Sequence, residues 1–172
     1  MSRAFLKNET ADDPVVIPPR APLPPGATNY VTPRGLTLLR SELDELEAER
    51  VRVQTDVTDE HERSRLLAEL NGRIGLLNGR IASARLVEPQ HQPHDEVRFG
   101  ATVTLHPQHG KTPDRTFTIV GVDEADAAQG RIAFTAPIAR AMQGKRTGET
   151  VPLRTVNGED VLTITRIAYL DT

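Results

Sequence analysis

The chain has 172 residues, a formal charge of −3, no cysteine and 3% aromatic residues. That length allows one domain or two small ones. The missing thiols exclude a disulfide framework and a thiolate metal centre, and dispersed Lys and Arg under a net negative charge exclude a global basic field for nucleic acid. Four Phe and two Tyr build few aromatic pockets, which counts against a small-molecule enzyme. The first 30 residues lack the apolar core of a signal peptide, and no long apolar run follows. A soluble, cytoplasmic protein without membrane contact is therefore expected.

Residues 1–29 read as a flexible leader. Pro14, Pro18, Pro19, Pro22, Pro24 and Pro25 fix φ and remove donors, so the segment is extended and polyproline-like. Arg3-Ala4-Phe5-Leu6-Lys7 is a candidate docking motif within it.

Residues 30–88 read as an antiparallel coiled-coil finger. Leu36, Leu39, Leu43, Leu46, Arg50, Val53 and Val57 alternate steps of three and four, as do Leu67, Leu70, Ile74, Leu77, Ile81 and Ala84. Each run is an a/d stripe on a helix. Folding back pairs Val53 with Leu67, Leu46 with Ile74 and Leu39 with Ile81. Each arm then has about 25 residues, or roughly 37 Å. Thr32 is the expected N-cap of the first helix, with Pro33 at its first position. Thr58 is the expected cap of the second. Arg50, in a core position, should snorkel. Asn71-Gly-Arg-Ile74 recurs one heptad later as Asn78-Gly-Arg-Ile81. Gly72, Gly75 and Gly79 each cost a helix about 1 kcal/mol relative to Ala, so this arm either bends or meets a close surface.

The turn between the arms is Thr58-Asp59-Glu60-His61-Glu62. Acidic residues there have an ordinary explanation, because a helix start favours negative charge. They also have a chemical one. Asp59 and Glu62, spaced i and i+3, share a face, and two such carboxylates could hold a hard divalent cation jointly with a partner's ligands.

Residues 89–96 form a linker in which Pro89 and Pro93 exclude an α-helix. His91-x-x-His94 and His106-x-x-His109 lack the fixed setting that a metal site requires. From Val97 the period becomes strand-like. Strands are expected at 101–106, 115–122, 131–135, 150–154 and 160–169, with a turn over Gly110–Asp114 and a short helix over 137–143. The fold class is α+β: a helical hairpin followed by a small α+β domain over residues 97–172.

Several stretches in this order are specific: Phe99-Gly-Ala-Thr-Val-Thr-Leu105, Ile119-Val-Gly-Val-Asp-Glu-Ala-Asp126, Ala136-Pro-Ile-Ala-Arg-Ala-Met-Gln-Gly-Lys145, Gly148-Glu149 and Ile164-Thr-Arg-Ile-Ala-Tyr169. With Tyr30-Val-Thr-Pro-Arg-Gly-Leu36 and Ser41-Glu-Leu-Asp-Glu-Leu46, they resemble the GreA/GreB family of bacterial transcript cleavage factors. The leader ending Pro24-Pro25-Gly26 with Asn29-Tyr30 resembles the GreB-like branch. The resemblance implies an FKBP-like C-terminal domain that grips RNA polymerase at its secondary channel. It also implies a finger whose tip carboxylates share the polymerase's Mg²⁺ for cleavage of backtracked RNA. The factor would be a monomer that is not itself an enzyme, has no cofactor of its own and contacts RNA and DNA only indirectly.

Carried over by position, the tip residues are Asp59 and Glu62, as assisting carboxylates and Mg²⁺ ligands. The docking residues are Asp123, Glu124, Thr135, Ala136, Pro137 and Ile138, although the family usually has Ser where Ala136 stands. The competing reading is that Pro137 to Met142 pack as core. Arg73, Arg80 and Arg85 could brush nucleic acid. The family tip Gly-Asp-x-x-Glu-Asn keeps its acids here but not its Gly and Asn, and Arg63 and Arg65 stand beside the acids. Each arm is also about one heptad shorter than the family's usual finger, or roughly 10 Å. Metal sharing needs oxygens within about 2–2.6 Å, so a channel-occupying regulator without cleavage activity is the alternative function. A peptidyl-prolyl isomerase is disfavoured by the scarcity of aromatics, and a bare coiled-coil adaptor by the match from Ile119 to Lys145.

Overall fold

In the computed structural model the described residues are 14–109, 112–156 and 158–170. The Arg3–Lys7 motif lies outside them, as do Gly110 and Lys111 of the expected turn.

The finger is two helices, α1 (Pro33–Asp56) and α2 (Glu60–Ala82). The heptad stripes form one core: Leu39, Leu46 and Val53 of α1 and Leu70, Ile74 and Leu77 of α2 are buried in it, and Leu36, Leu43, Val57, Leu67, Ile81 and Ala84 pack against it half-buried. Arg50 stays half-buried and reaches Asn71 Oδ1 at 3.4 Å. Thr32 caps α1, its Oγ1 accepting from Gly35 N at 2.9 Å, with Pro33 in the first turn. The second cap differs from the expectation. It is Asp59, whose Oδ1 accepts from Glu62 N at 2.7 Å, so α2 starts at Glu60. A carboxylate is both a good cap and the right sign for the helix dipole, which gives Asp59 the advantage over the neutral Thr58.

The second arm stops earlier than its heptads suggest. After Ala82 the chain enters β2 (Ala84–Leu86), which pairs in parallel with β1 (Asn29–Val31). Asn29 secures this base: its Nδ2 donates to Arg80 O at 2.9 Å and to Ser83 Oγ at 3.1 Å. One of the orphan carbonyls at the end of α2 is thereby satisfied.

The glycines of α2 leave the helix continuous. A Cβ at Gly72 would fall 2.1 Å from Ile17 Cδ1, so the close surface is this chain's own leader. Gly75 and Gly79 face open space. Gly75→Ala and Gly79→Ala are each expected to stabilise the finger by about 1 kcal/mol, a rise in Tm of roughly 2–4 °C by thermal melting. Gly72→Ala should return less, because Ile17 must give way.

A 3₁₀ turn at Pro89–His91 interrupts the linker. A five-stranded sheet follows in the order β5-β4-β3-β7-β6. Its strands are β3 (Thr102–Pro107), β4 (Arg115–Val120), β5 (Arg131–Ala133), β6 (Thr150–Thr155) and β7 (Gly158–Ala168). Only the β4–β5 pairing is parallel, and the β3–β7 register shifts between Thr104 and Leu105. Alternation buries Val103 and Leu105 of β3 against Leu162 and Ile164 of β7. The short helix α3 (Pro137–Met142) packs on β6 and closes this core with Ala139 and Met142.

Candidate functional site

The free end of the finger carries the tip carboxylates. Val57 to Asp59 connect the helices. Asp59, Glu60 and Glu62 are exposed. The cap holds the Asp59 carboxylate by one oxygen, leaving Oδ2 outside that bond. Asp-x-x-Glu is also the spacing of a capping box, in which Glu62 would reach back to the Asp59 amide. That return bond is not formed among the described residues, so the cap does not consume the Glu62 carboxylate. Arg63 donates to Val57 O at 3.2 Å.

Among the described residues no group of three or more His, Cys, Asp or Glu could hold a metal ion. Two carboxylates are hard donors suited to Mg²⁺ but fall short of its octahedral demand. Their chemistry fits an ion shared with another protein and not one held by this chain alone. Three of the histidines have local partners: His91 lies 2.9 Å from Glu88, His106 lies 2.7 Å from Asp114, and His94 packs on the Tyr169 ring.

The second set of candidates gathers at one end of the sheet. Because β4 and β5 run parallel, the loop after β4, with Asp123 and Glu124, and the turn after β5, with Thr135 and Ala136, leave the sheet on the same side. Pro137 and Ile138 open α3 beside them, Pro137 exposed and Ile138 half-buried against the core.

Asp123 and Glu124 are engaged within the chain. Glu124 is buried at 5% exposure. It accepts from Thr32 Oγ1 at 2.5 Å and pairs with Arg34 at 3.0 Å. Asp123 pairs with Arg20 at 2.9 Å and with Arg80 at 3.3 Å. Adjacent acids of the C-terminal domain thus bind three cations from the leader and the two helices. Arg80, expected to be available to nucleic acid, is committed to this junction and also donates to Ala21 O at 2.5 Å.

The junction is tight. A Cβ on Gly121 would sit 2.7 Å from Tyr30 O, and one on Gly35 would sit 2.8 Å from Glu124 Oε2. Tyr30, Phe99 and Phe134 pack on one another with centroids 5.6–5.7 Å apart. Half the chain's aromatic residues are therefore spent on the joint and not on a substrate pocket.

The leader, expected to be flexible, meets the rest of the chain through Ile17, which lies on α2 at Gly72, and through Arg20 and Ala21 at this joint. Arg20 makes a two-pronged contact with Glu42 of α1, at 2.8 and 3.0 Å, and shares its guanidinium with Asp123. Hydrogen bonding from Arg20 holds the Glu42 carboxyl below its ordinary value, against the opposing effect of burial. A cavity of about 390 Å³ opens beneath the leader, lined by Pro18, Pro19, Glu42, Arg73, Leu76 and Asp123 among others. Sequence reasoning missed Arg20, Arg34 and Glu42. Only Gly35 and Gly121 could have hinted, as small residues where the Glu124 side chain and the Tyr30 backbone come close.

No helix among the described residues is long and apolar enough to cross a membrane. The family model for the C-terminal domain of GreA/GreB transcription elongation factors matches residues 92–169. Transcription elongation factor GreB of Neisseria meningitidis serogroup B is 33% identical over 156 residues, covering 83% of this chain and 94% of that protein. GreA of Anaeromyxobacter sp. is 33% identical over 155 residues, covering 82% and 92%. A solved GreA/GreB factor of Nitrosomonas europaea is 17% identical, covering 81% and 98%, with a TM-score of 0.42. Identity sustained over nearly the whole of two relatives, with the domain match inside it, places this chain in the GreA/GreB family of transcription elongation factors.

Proposed function

We propose that this protein binds bacterial RNA polymerase at the secondary channel, in the bacterial cytoplasm, and presents its finger to the active centre. Asp59 and Glu62 would assist cleavage of backtracked RNA. The observation that carries this reading is a pair of exposed carboxylates at the free end of a two-helix finger, one of them oriented by its own helix cap.

Asp59 and Glu62 would complete the coordination of a polymerase-held Mg²⁺, which supplies charge neutralisation and an activated water at the RNA phosphodiester. This chain's own share is positional. The cap fixes Asp59 at the start of the helix that carries Glu62, and the stripe core holds the two antiparallel helices together as one finger. The chemistry belongs to the polymerase, so the factor is not an enzyme. Thr135, Ala136, Pro137 and Ile138 are the surface we assign to polymerase docking.

A second reading has specific support. Asp59 is already explained as a cap, and the arms have only 24 and 23 residues. On this reading the finger occupies the channel and excludes other factors without stimulating cleavage.

The test is transcript shortening in a reconstituted backtracked elongation complex, with and without a conventional Gre factor. Shortening by this protein alone is the expected result. Slowed cleavage by the conventional factor, with none by this protein, would establish the second reading. No effect of either kind would overturn polymerase binding.

A further inference from the structure

The geometry points to Arg20 as a positioning residue that makes the leader a brace, setting the direction of the finger relative to the C-terminal domain. Arg20, in the leader, grips two other bodies at once: Glu42 on α1 and Asp123 on the loop after β4. Its side chain is 18% exposed. The guanidinium fork suits this task, because five fixed donors can satisfy two carboxylates together.

The brace is anchored away from the pivot. Glu42 lies nine residues into α1, roughly 14 Å from its start, and Gly72 lies ten residues before the end of α2, roughly 15 Å from the base. Arg20 grips the first point, and Ile17 sits on the second, where a glycine makes room for it. Contacts at the base itself, such as Thr32 and Arg34 with Glu124, resist translation but have little lever arm against tilt. Attachments partway up the finger supply that arm. Arg80 closes the triangle by pairing with Asp123 and donating to Ala21 O in the leader.

Direction matters because the finger is long. At 24 residues α1 reaches roughly 36 Å, and a tilt of about 10° would move the tip by roughly 6 Å. That displacement exceeds any metal–oxygen distance by more than twofold. The brace itself stands on intramolecular contacts. Its effect on the polymerase rests on the function proposed above.

The two can fail separately, so the first measurement uses the free, full-length protein. The natural chain has no cysteine. Spin labels can therefore be placed at Gln54→Cys near the tip and Arg166→Cys in β7, both exposed, and their separation read by pulsed dipolar spectroscopy. The wild-type background should give one narrow distance distribution. Arg20→Ala should raise the population of other distances roughly tenfold, the scale of one lost charge-assisted network. Arg20→Lys, which keeps charge but loses the fork, should fall between them. Ile17→Asp, which unseats the second anchor, should act in the same direction. Both leader residues lie outside the two hydrophobic cores, and far-UV circular dichroism reports whether each variant remains folded. Superimposable distributions for wild type, Arg20→Ala and Ile17→Asp would overturn the proposal.

In the polymerase assay Arg20→Ala should weaken apparent affinity while leaving the saturated effect intact. Altered distances with no polymerase effect in any variant would retain the brace and overturn the function it serves.

Discussion

Replacing the tip acids by their amides, Asp59→Asn with Glu62→Gln, should lower cleavage stimulation by roughly a hundredfold while leaving the fold and polymerase affinity in place. The amides are chosen because Asp59 does two jobs. Its carboxylate caps α2, and Asn caps a helix about as well as Asp. An amide is a poor ligand for a hard cation, so only the charge-dependent role is removed. Loss of one ligand or electrostatic contact of this kind costs roughly 10²-fold in rate. Asp59→Ala confounds the two roles, because it also removes a cap worth about 1 kcal/mol. Rates from single-turnover cleavage, with affinity measured separately by competition, decide the matter. A wild type that cleaves and an amide variant that does not would establish the metal-sharing role. Equal cleavage by both would reduce Asp59 to a helix start and remove metal sharing from the mechanism, and no cleavage by either would leave the finger an occupant of the channel.

The finger was legible from the chain because its information is local and periodic. Leu39, Leu46 and Val53 repeat every seven residues, and no tertiary knowledge is needed to see that they must face a partner. Thr32 before Pro33 marked the first helix start for the same reason. The strands of the C-terminal domain followed from alternation in segments such as Thr102–Pro107. What stayed hidden depends on pairing across distance. The β1–β2 ladder joins Asn29–Val31 to Ala84–Leu86 in three-residue strands, too short to have a period. Arg20 meets partners 22 and 103 positions away, and its proline-rich setting reads as a tail because prolines exclude helix without saying what the extended chain will lie against. Gly72 was visible as an anomaly, but the sequence could not say that Ile17 occupies the space. At the site, Asp59 and Glu62 were legible as a spacing. Asp123 and Glu124 were legible only as a match of residues, which carries no sign that they face inward to this chain's own arginines.

That inward engagement divides the docking candidates into two groups with different expected behaviour. Glu124→Ala should destabilise the protein by about 2 kcal/mol, lowering Tm by roughly 4–8 °C. The side chain is buried, and its removal strands the Thr32 hydroxyl proton and the Arg34 guanidinium. The larger penalty of about 3–5 kcal/mol for breaking a fully buried pair should not be reached, because Arg34 is 32% exposed and can turn to water. Glu124→Gln keeps an acceptor for Thr32 and loses only the charge, so it should cost less. Thr32→Val combined with Glu124→Ala should be less harmful than the sum of the two, since each removes the same contact. Pro137→Ala makes the contrast. Pro137 is exposed at the first turn of α3, where substitution should move stability by less than about 0.5 kcal/mol. If Pro137 belongs to the docking surface, affinity for polymerase should fall with Tm unchanged. Glu124→Ala should instead lower affinity and Tm together, because it acts through the joint. A Glu124→Ala protein with an unchanged Tm and weakened binding would reverse the assignment and make Glu124 a direct contact.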